Sequence, residues 1–434
     1  MNQQRPLNLF SSVVLTLAVV TTFTLLIQTL MTSFVTAAFP ASNIYIAGGG
    51  SSLSEGVHKS LSQQFSINHF KNNIELTYNP VGSGTGVTNL LPFTSNPFDY
   101  AGSEVIPSNN QYNQVPGLQV IPFIGVNVLV VYNLPELSSS ERLILDRKLL
   151  VDIFSGRISN WNDPSIAALN PSIASKLPNQ PIKRVVRSDS SGTTELFTSA
   201  LTAFAAASNG ATTWYLGTVP LPSAWPNETP INISKQKGSS SLGNYVLLNP
   251  YTIGYNTPDA IIEQTSALII NAAGKAVAAT EETCKSAMSD FKDAFDSRFT
   301  ANIVNAPGEN SYPIAGYSYL IYKSKSMEEC NAAKVLYRYF MFLYSSDAEN
   351  VIISSTFVPL PSDLQSRIRN EYLSKWICSS SESVVTTDSD LVAPILLAVF
   401  GGFIALTSLG IVAYIGINSY VKKRKALGEP ISEE

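Results

Sequence analysis

The stretch VVRSDSSGTTELFTSAL, residues 185–201, sets a short apolar strand, a turn crowded with charge and hydroxyls, and a helix in direct succession. A single Gly or Asn is enough to connect a strand to a helix. Here Arg187, Ser188, Asp189, Ser190, Ser191, Gly192, Thr193 and Thr194 fill the turn. A fixed cation beside hydroxyls and the unpaired N–H groups of a helix start is the composition of an anion cradle. It is equally that of an ordinary helix cap, whose side-chain oxygen accepts from those same N–H groups. The rest of the chain has to decide between the two.

Working outward, the same grammar recurs from Asn43 onward. NIYIAG reads as a strand, GGSS as a turn, and LSEGVHKSLSQQF as an amphipathic helix with Val57, Leu61 and Phe65 on one face. IELTYNP is a strand, VGSGTG a turn, and VTNLLPF a short helix; FDYAGSE is a strand that reaches a carboxylate at Glu104. LQVIPFIGVNVLVVYNL is a long apolar β run, broken only by Pro122 and Gly125. A helix, a Gly turn and a loop stopping at Asp163-Pro164 precede the opening stretch. After it come an irregular Thr-, Pro- and Ser-rich region, Thr212 to Leu242, and a short strand at Ile253 to Tyr255. The last strand is YPIAGYSYLIYKS, followed by helices around Ala332 to Tyr344 and Asp363 to Ile377. Strands alternating with helices predict an α/β fold with a mostly parallel sheet. No repeat of solenoid period is present.

Singly, the glycine turns are weak signals. AGGGSSL lacks the Lys-Ser/Thr of a P-loop and the spaced glycines of a dinucleotide fold. VGSGTG fits a nucleophile elbow with Ser83 as nucleophile, yet no general base lies in a matching loop. Only two histidines, His58 and His69, occur in the chain, so a zinc centre or a His-based triad has little material. No enzyme activity, metal or cofactor is expected. Together the turns say more, because ligands of open α/β sheets bind at the carboxyl ends of strands, where helix N-termini converge. Arg187 adds a fork of donors that matches a tetrahedral oxyanion, and Asp189 is placed to hold that guanidinium or simply to cap the helix.

The chain has 434 residues, enough for two globular units plus appendages, yet only 14% are charged. Its ends account for much of that. Leu9 to Leu30 is almost purely apolar or hydroxylic after the lone Arg5, and it runs into small residues near Ala37 and Ala38. Residues 1–38 therefore read as a signal peptide, with an uncleaved signal anchor as the rival. Leu391 to Val421 contains no Asp, Glu, Lys or Arg and is long enough to span a bilayer. The run KKRK at 422–425 follows it, which places the 422–434 tail in the cytoplasm and residues 379–390 as a polar stalk. A single-pass type I membrane protein is expected, its large domain extracellular or lumenal. The formal net charge of −4, without a basic stripe, argues against nucleic acid as a partner. Asn227 and Asn232 head N-glycosylation sequons. Cys330 and Cys378, on the two C-terminal helices, are the preferred disulfide pair among three cysteines.

GGGSSLSEGV, VGSGTGV, AGSE, LLVDIFSGRISNWND, VVRSDSSGTT and TIGY stand in an order and spacing that resembles the phosphate-binding proteins of bacterial ABC-type uptake systems. The resemblance covers residues 43–378. It implies a type II periplasmic-binding-protein fold, two α/β lobes with a hinge and an interlobe cleft: residues 40–124 with 313–378 as lobe I, and 125–312 as lobe II. It implies phosphate held by Ser52, the Leu53 backbone, Ser83, Arg187, Ser191, Gly192 and Thr193. In the family an Asp stands where this chain has Glu104, and accepts the proton of a protonated phosphate. Ser52-Leu53 likewise replaces a Thr-Phe of the usual pattern. The expected function is binding of inorganic phosphate or a similar oxyanion for uptake or sensing. The alternative is a surface receptor or adhesion protein that keeps the fold with altered or lost anion binding.

Overall fold

The computed structural model describes residues 44–69, 74–92, 94–95, 97–115, 117–218, 225, 232–258, 266–325 and 330–378, with a few positions between 415 and 426. Residues 1–38, the stalk, Asn227 and nearly all of the apolar span at 391–421 lie outside them. Among the described residues no helix is long and apolar enough to cross a membrane.

Two mixed sheets carry the fold. The first orders β2 (Ile74–Asn79), β1 (Ile44–Gly50), β3 (Tyr100–Ser103), β12 (Ala315–Lys323) and β4 (Leu118–Asn127) side by side. The second orders β5 (Leu129–Asn133), β9 (Thr252–Asn256), β7 (Lys183–Arg187) and β8 (Ile233–Gln236). A small third sheet joins β11 (Ala276–Val277), β10 (Leu268–Ile270) and β6 (Ile144–Asp146).

The expectation of mostly parallel pairing holds only in part. Strands β1, β2 and β3 run parallel, as do β7, β8 and β9. By contrast β12 is antiparallel to both β3 and β4, and β5 is antiparallel to β9. The reason lies in the long apolar run after Leu118, which forms two strands rather than one. Strand β4 closes the first sheet, Val128 interrupts, and β5 opens the second. Val128 N donates to Ile314 O at 2.9 Å, and Tyr312 Oη donates to Val128 O at 3.0 Å. The two crossing segments are thus stitched together where the chain passes between sheets. Pro122 is accommodated because β4 is an edge strand; it sits opposite a register shift at Ser318/Tyr319 of β12.

Two large apolar cores follow from the two sheets. The first gathers Ile46, Leu61, Tyr100, Ile121, Leu320 and Phe340, and the second Val130, Leu150, Trp161, Val186, Phe197 and Ile269. The boundary read from sequence needs correction. Strand β4 belongs to the first sheet as far as Asn127, not 124, and Cys284, Met288, Phe299 and Ile303 pack in the first core rather than the second. The helix Glu281–Asp290 returns its apolar face to β4, where Met288 and Cys284 fill the space beside Gly125.

Sequence details explain the local turns. Gly156 takes φ 85° after the helix Arg147–Phe154, Asp146 caps that helix through Leu149 N, and Asp163 caps the next, with Pro164 at its first position. Trp161 is buried and donates its indole N–H to Tyr251 O at 3.0 Å. Within the LLVDIFSGRISNWND stretch, Trp161 is therefore a core residue. Cys330 and Cys378 form a disulfide.

Candidate anion site

Strands β1, β2, β3, β7 and β8 all end, at their carboxyl ends, on the residues that form the site. Ser51 and Ser52 follow β1, Ser83 follows β2, and Glu104 follows β3. Arg187 ends β7, and Ser239 opens the helix Ser239–Leu248 after β8. VGSGTG is not a turn before a helix, as its glycines suggest. Ser83 is the first residue of the helix Ser83–Thr88, so its hydroxyl is fixed by helical backbone.

Glu104 is buried and accepts three serine hydroxyls. Ser51 Oγ and Ser83 Oγ donate to its Oε2 at 2.7 and 2.9 Å, and Ser318 Oγ donates to its Oε1 at 2.7 Å. Burial raises its carboxyl above the usual range, and the serine hydrogen bonds offset that only in part. Across the cleft Gly192 N donates to Ser83 Oγ at 3.2 Å. A Cβ at position 192 would lie 2.0 Å from Glu104 Oε2, so only glycine lets the helix Gly192–Ala207 approach this closely.

The guanidinium of Arg187 is 2% exposed and its edges are shared out. Nε donates to Asp189 Oδ1 at 2.7 Å and Nη2 donates to Asp189 Oδ2, a bidentate pair on one edge. On the outer edge Nη2 also donates to Ser52 Oγ at 2.9 Å and Nη1 to Ser239 Oγ at 3.1 Å. Burial pushes the Asp189 carboxyl up, but the hydrogen bonds and charge of Arg187 outweigh it and hold it below the usual range. Asp189 also accepts from Gly238 N at 3.0 Å, so it braces the turn as well as the arginine. The backbone of Arg187 is held in turn: its N–H donates to Tyr255 Oη at 3.1 Å, and that hydroxyl lies 2.7 Å from Thr194 Oγ1. Tyr255 is the last residue of the TIGY motif.

The opening question thus has a double answer. Ser191 does cap its helix, accepting from Thr194 N at 3.2 Å. Thr193, beside it, is 1% exposed, and its Oγ1 has no hydrogen-bond partner among the described residues. Leu53 is buried, with its N–H donating to Ser51 Oγ at 3.1 Å. Of the residues expected at the site, hydrogen bonds thus link Ser52 with Arg187, and Glu104 with Ser83 and Gly192, while Ser191 and Thr193 flank Gly192 in the chain. Sequence reasoning missed Ser51, Ser318 and Ser239. Ser51 adjoins the expected Ser52, while Ser318 is a lone hydroxyl inside the apolar strand β12 and Ser239 lies in the irregular region.

Other polar candidates lie elsewhere. His58 is fully buried against Tyr78, ring centroids 4.2 Å apart, and burial lowers its pKa to about 3. It serves as a neutral core ring, and Tyr78 Oη beside it donates to Ser51 O at 2.9 Å. Asn232 is exposed. No cluster of metal-ligating side chains occurs among the described residues.

Comparison with known proteins agrees with this architecture. A phosphate-binding protein of Methanocaldococcus jannaschii is 32% identical over 261 residues, 57% of this chain and 64% of that protein. A protein of Acanthamoeba polyphaga mimivirus, named as a serine/threonine-protein kinase/receptor, is 28% identical over 290 residues, 64% of this chain and 18% of its own length. The chain thus spans less than two thirds of both relatives. The solved structure of a phosphate-binding protein from Stenotrophomonas maltophilia superposes with a TM-score of 0.58 at 21% identity, covering 75% of this chain and 93% of that one. That likeness shows the fold. The sequence profile of the PBP superfamily domain matches residues 36–346, and the chain belongs to that superfamily.

Proposed function

We propose that this protein binds inorganic phosphate in its interlobe cleft, on the exterior side of a membrane, for uptake or sensing. The observation that carries the reading is the site itself. The outer edge of Arg187, the first amide of the helix Gly192–Ala207, and the hydroxyls of Ser51, Ser52 and Ser83 meet at the carboxyl ends of the strands, with Thr193 next in the same helix turn. Thr193 Oγ1, buried without a partner among the described residues, is a group that a bound oxyanion satisfies. The chain binds its ligand and breaks no bond; ligand binding favours the closed arrangement of the lobes. Leu53 N, Ser191 and Gly192 complete the proposed phosphate shell, and Asp189 supports it through Arg187.

Glu104 sets the choice of anion. As a carboxylate, Glu104 accepts the proton of a protonated phosphate, whereas fully ionised sulfate brings none and meets a like charge. Calorimetric titration of the full-length protein is expected to give phosphate binding at least about 100-fold tighter than sulfate, since a buried polar mismatch costs about 3 kcal/mol. Equal affinities, or no heat with either anion, overturns the reading.

A second reading is favoured by one observation: Ser51 and Ser83 already donate to Glu104, whose carboxylate lies over Gly192 like an internal anion. On that reading the protein is a surface receptor or adhesion protein with altered or lost anion binding, in line with the receptor name of the mimivirus relative. Glu104→Asp separates the two. Tight phosphate binding gained by the variant over a silent wild type identifies a diverged site.

Membrane attachment is part of the proposal. The charge-free run Leu391 to Val421 with KKRK after it supports a type I span, with residues 1–38 as signal and 379–390 as stalk. Protease protection in sealed vesicles tests it: the large domain is expected to be digested when exposed on the outer face, and the 422–434 tail protected.

A further inference from the structure

Arg187 offers an anion only one edge. Asp189 takes the Nε/Nη2 side bidentately, so an incoming oxyanion must meet the Nη1/Nη2 side. Two hydroxyls already stand there, one on each nitrogen: Ser52 on Nη2 at 2.9 Å and Ser239 on Nη1 at 3.1 Å. The two hydroxyl oxygens are 3.3 Å apart and come from opposite lobes. Ser52 belongs to the shell expected from sequence. Ser239 occupies the equivalent place on the other nitrogen and belongs to no motif singled out there.

Its position is built rather than incidental. Ser239 is 3% exposed and opens a helix of 10 residues. Gly238 precedes it with φ 79°, and its N–H is held by Asp189 Oδ1 at 3.0 Å. Asn256 Nδ2 donates to the Ser239 carbonyl at 3.1 Å. The backbone on both sides of the hydroxyl is therefore fixed by groups of the same lobe. The N-cap of this helix is Gly238, which has no side chain, and the Ser239 hydroxyl meets Arg187 Nη1 and Ser52 Oγ. Glu104, the other carboxylate of the site, has its three serine donors from the β1, β2 and β12 segments, so Ser239 is not among them.

We propose that Ser239 is a direct anion-binding residue at the fifth strand end of the site, which donates to the oxygen that Arg187 Nη1 holds and ties the second lobe to Ser52 across the cleft. The inference rests on the phosphate reading. Because the residue bridges the lobes through Ser52, its contribution falls mainly on release of the anion, not on capture.

The test uses the full-length protein with inorganic phosphate as the probe, comparing wild type, Ser239→Ala and Ser239→Thr by calorimetry and by stopped-flow release. Ser239→Ala is expected to bind about tenfold more weakly, through faster release, as for loss of one hydrogen bond to a charged group. Ser239→Thr keeps the hydroxyl and is expected to stay within about threefold of wild type. The melting temperature without phosphate reports folding independently and is expected to be unchanged in both variants. Wild-type affinity in Ser239→Ala overturns the role of Ser239 and leaves the phosphate reading standing. Silence of the wild type towards phosphate overturns both. A tenfold loss shared by the alanine and threonine variants also overturns the proposal, because the hydroxyl is then not what matters.

Discussion

Glu195 is the residue whose chemistry is hardest to see from the sequence. It lies in the first turn of the helix Gly192–Ala207, where a carboxylate is ordinarily a benign partner for the helix N-terminus. Here its Oε2 is buried without a hydrogen-bond partner among the described residues. Burial, then the charge of Glu104, raises its pKa from 4.5 to about 8, and among the described residues Tyr319 also feels its charge. The sign follows from linkage: the folded form holds the proton more tightly than the unfolded chain, so this group favours folding below about pH 4.5, and that contribution is lost as pH rises towards 8. Glu195→Gln is therefore expected to melt higher than wild type at pH 8.5 and to converge with it near pH 4.5. Thermal unfolding across that range checks the prediction, and parallel curves at all pH values refute it. Arg187 and the hydroxyls of the opening stretch were legible because charge and hydroxyls in a strand-to-helix turn have few uses. Ser318 was not, since a single hydroxyl in an apolar strand is equally a satisfied core residue until the neighbouring chain is placed.

At the scale of the element, the helix Gly192–Ala207 shows how a cap and a ligand site coincide. Ser191 satisfies Thr194 N, which leaves the first amide, Gly192 N, to face Ser83 of the other lobe. Contact between the two lobes depends on the missing side chain at 192. A Cβ there meets Glu104 Oε2 at 2.0 Å, Glu104 Cβ at 2.6 Å and Ser83 Oγ at 2.7 Å, all from the opposite lobe. Within its own helix an alanine is favourable. Gly192→Ala is accordingly expected to hold the cleft open rather than to unfold the protein: phosphate affinity drops at least about 100-fold, consistent with a steric cost of a few kcal/mol, while the melting temperature without phosphate stays level or rises. Small-angle scattering is expected to show no compaction on adding phosphate. Undiminished binding in this variant means the lobes do not need to meet at Gly192. The short helix Ser83–Thr88 was misplaced from sequence because its glycines read as a turn. Packing on β1, where Gly86 lies against Gly50, overrides that local preference.

For the whole molecule, the governing feature is that the chain passes between the two sheets at Val128 and returns at Tyr312 to Ala315, with the two crossings hydrogen-bonded together. The segment from the helix Glu281–Asp290 to Ile303 also reaches into the first core, and two cores linked by a few such crossings form the arrangement in which lobes move about a hinge. The first lobe is closed off by the chain's return: β12 is its fourth strand in spatial order, and the segment 330–378 packs Leu336, Phe340, Leu364 and Trp376 into the same core. The disulfide Cys330–Cys378 closes a loop of 48 residues around that segment. In the chain-entropy picture it stabilises by roughly 4 kcal/mol. The double variant Cys330→Ser with Cys378→Ser is expected to lower the denaturant midpoint of the first lobe by an amount approaching that value. Phosphate affinity at low denaturant should change little, because neither cysteine lies among the residues that form the site. An unchanged midpoint indicates that packing around Trp376 alone holds the segment.

The sequence by itself determined the class of the fold, the order of strands and glycine turns, and most of the anion shell. Those features depend on local periodicity, on helix-start chemistry and on the fixed charge of Arg187, all of which are encoded within a few residues of one another. Which edge of Arg187 is free, the exchange of Ser51 and Ser83 onto Glu104, the burial that raises Glu195, and the arrival of Ser239 and Ser318 were decided only by the tertiary structure. Each of these is a contact between residues far apart in the chain, and burial is a property of the packed lobes that no local pattern carries.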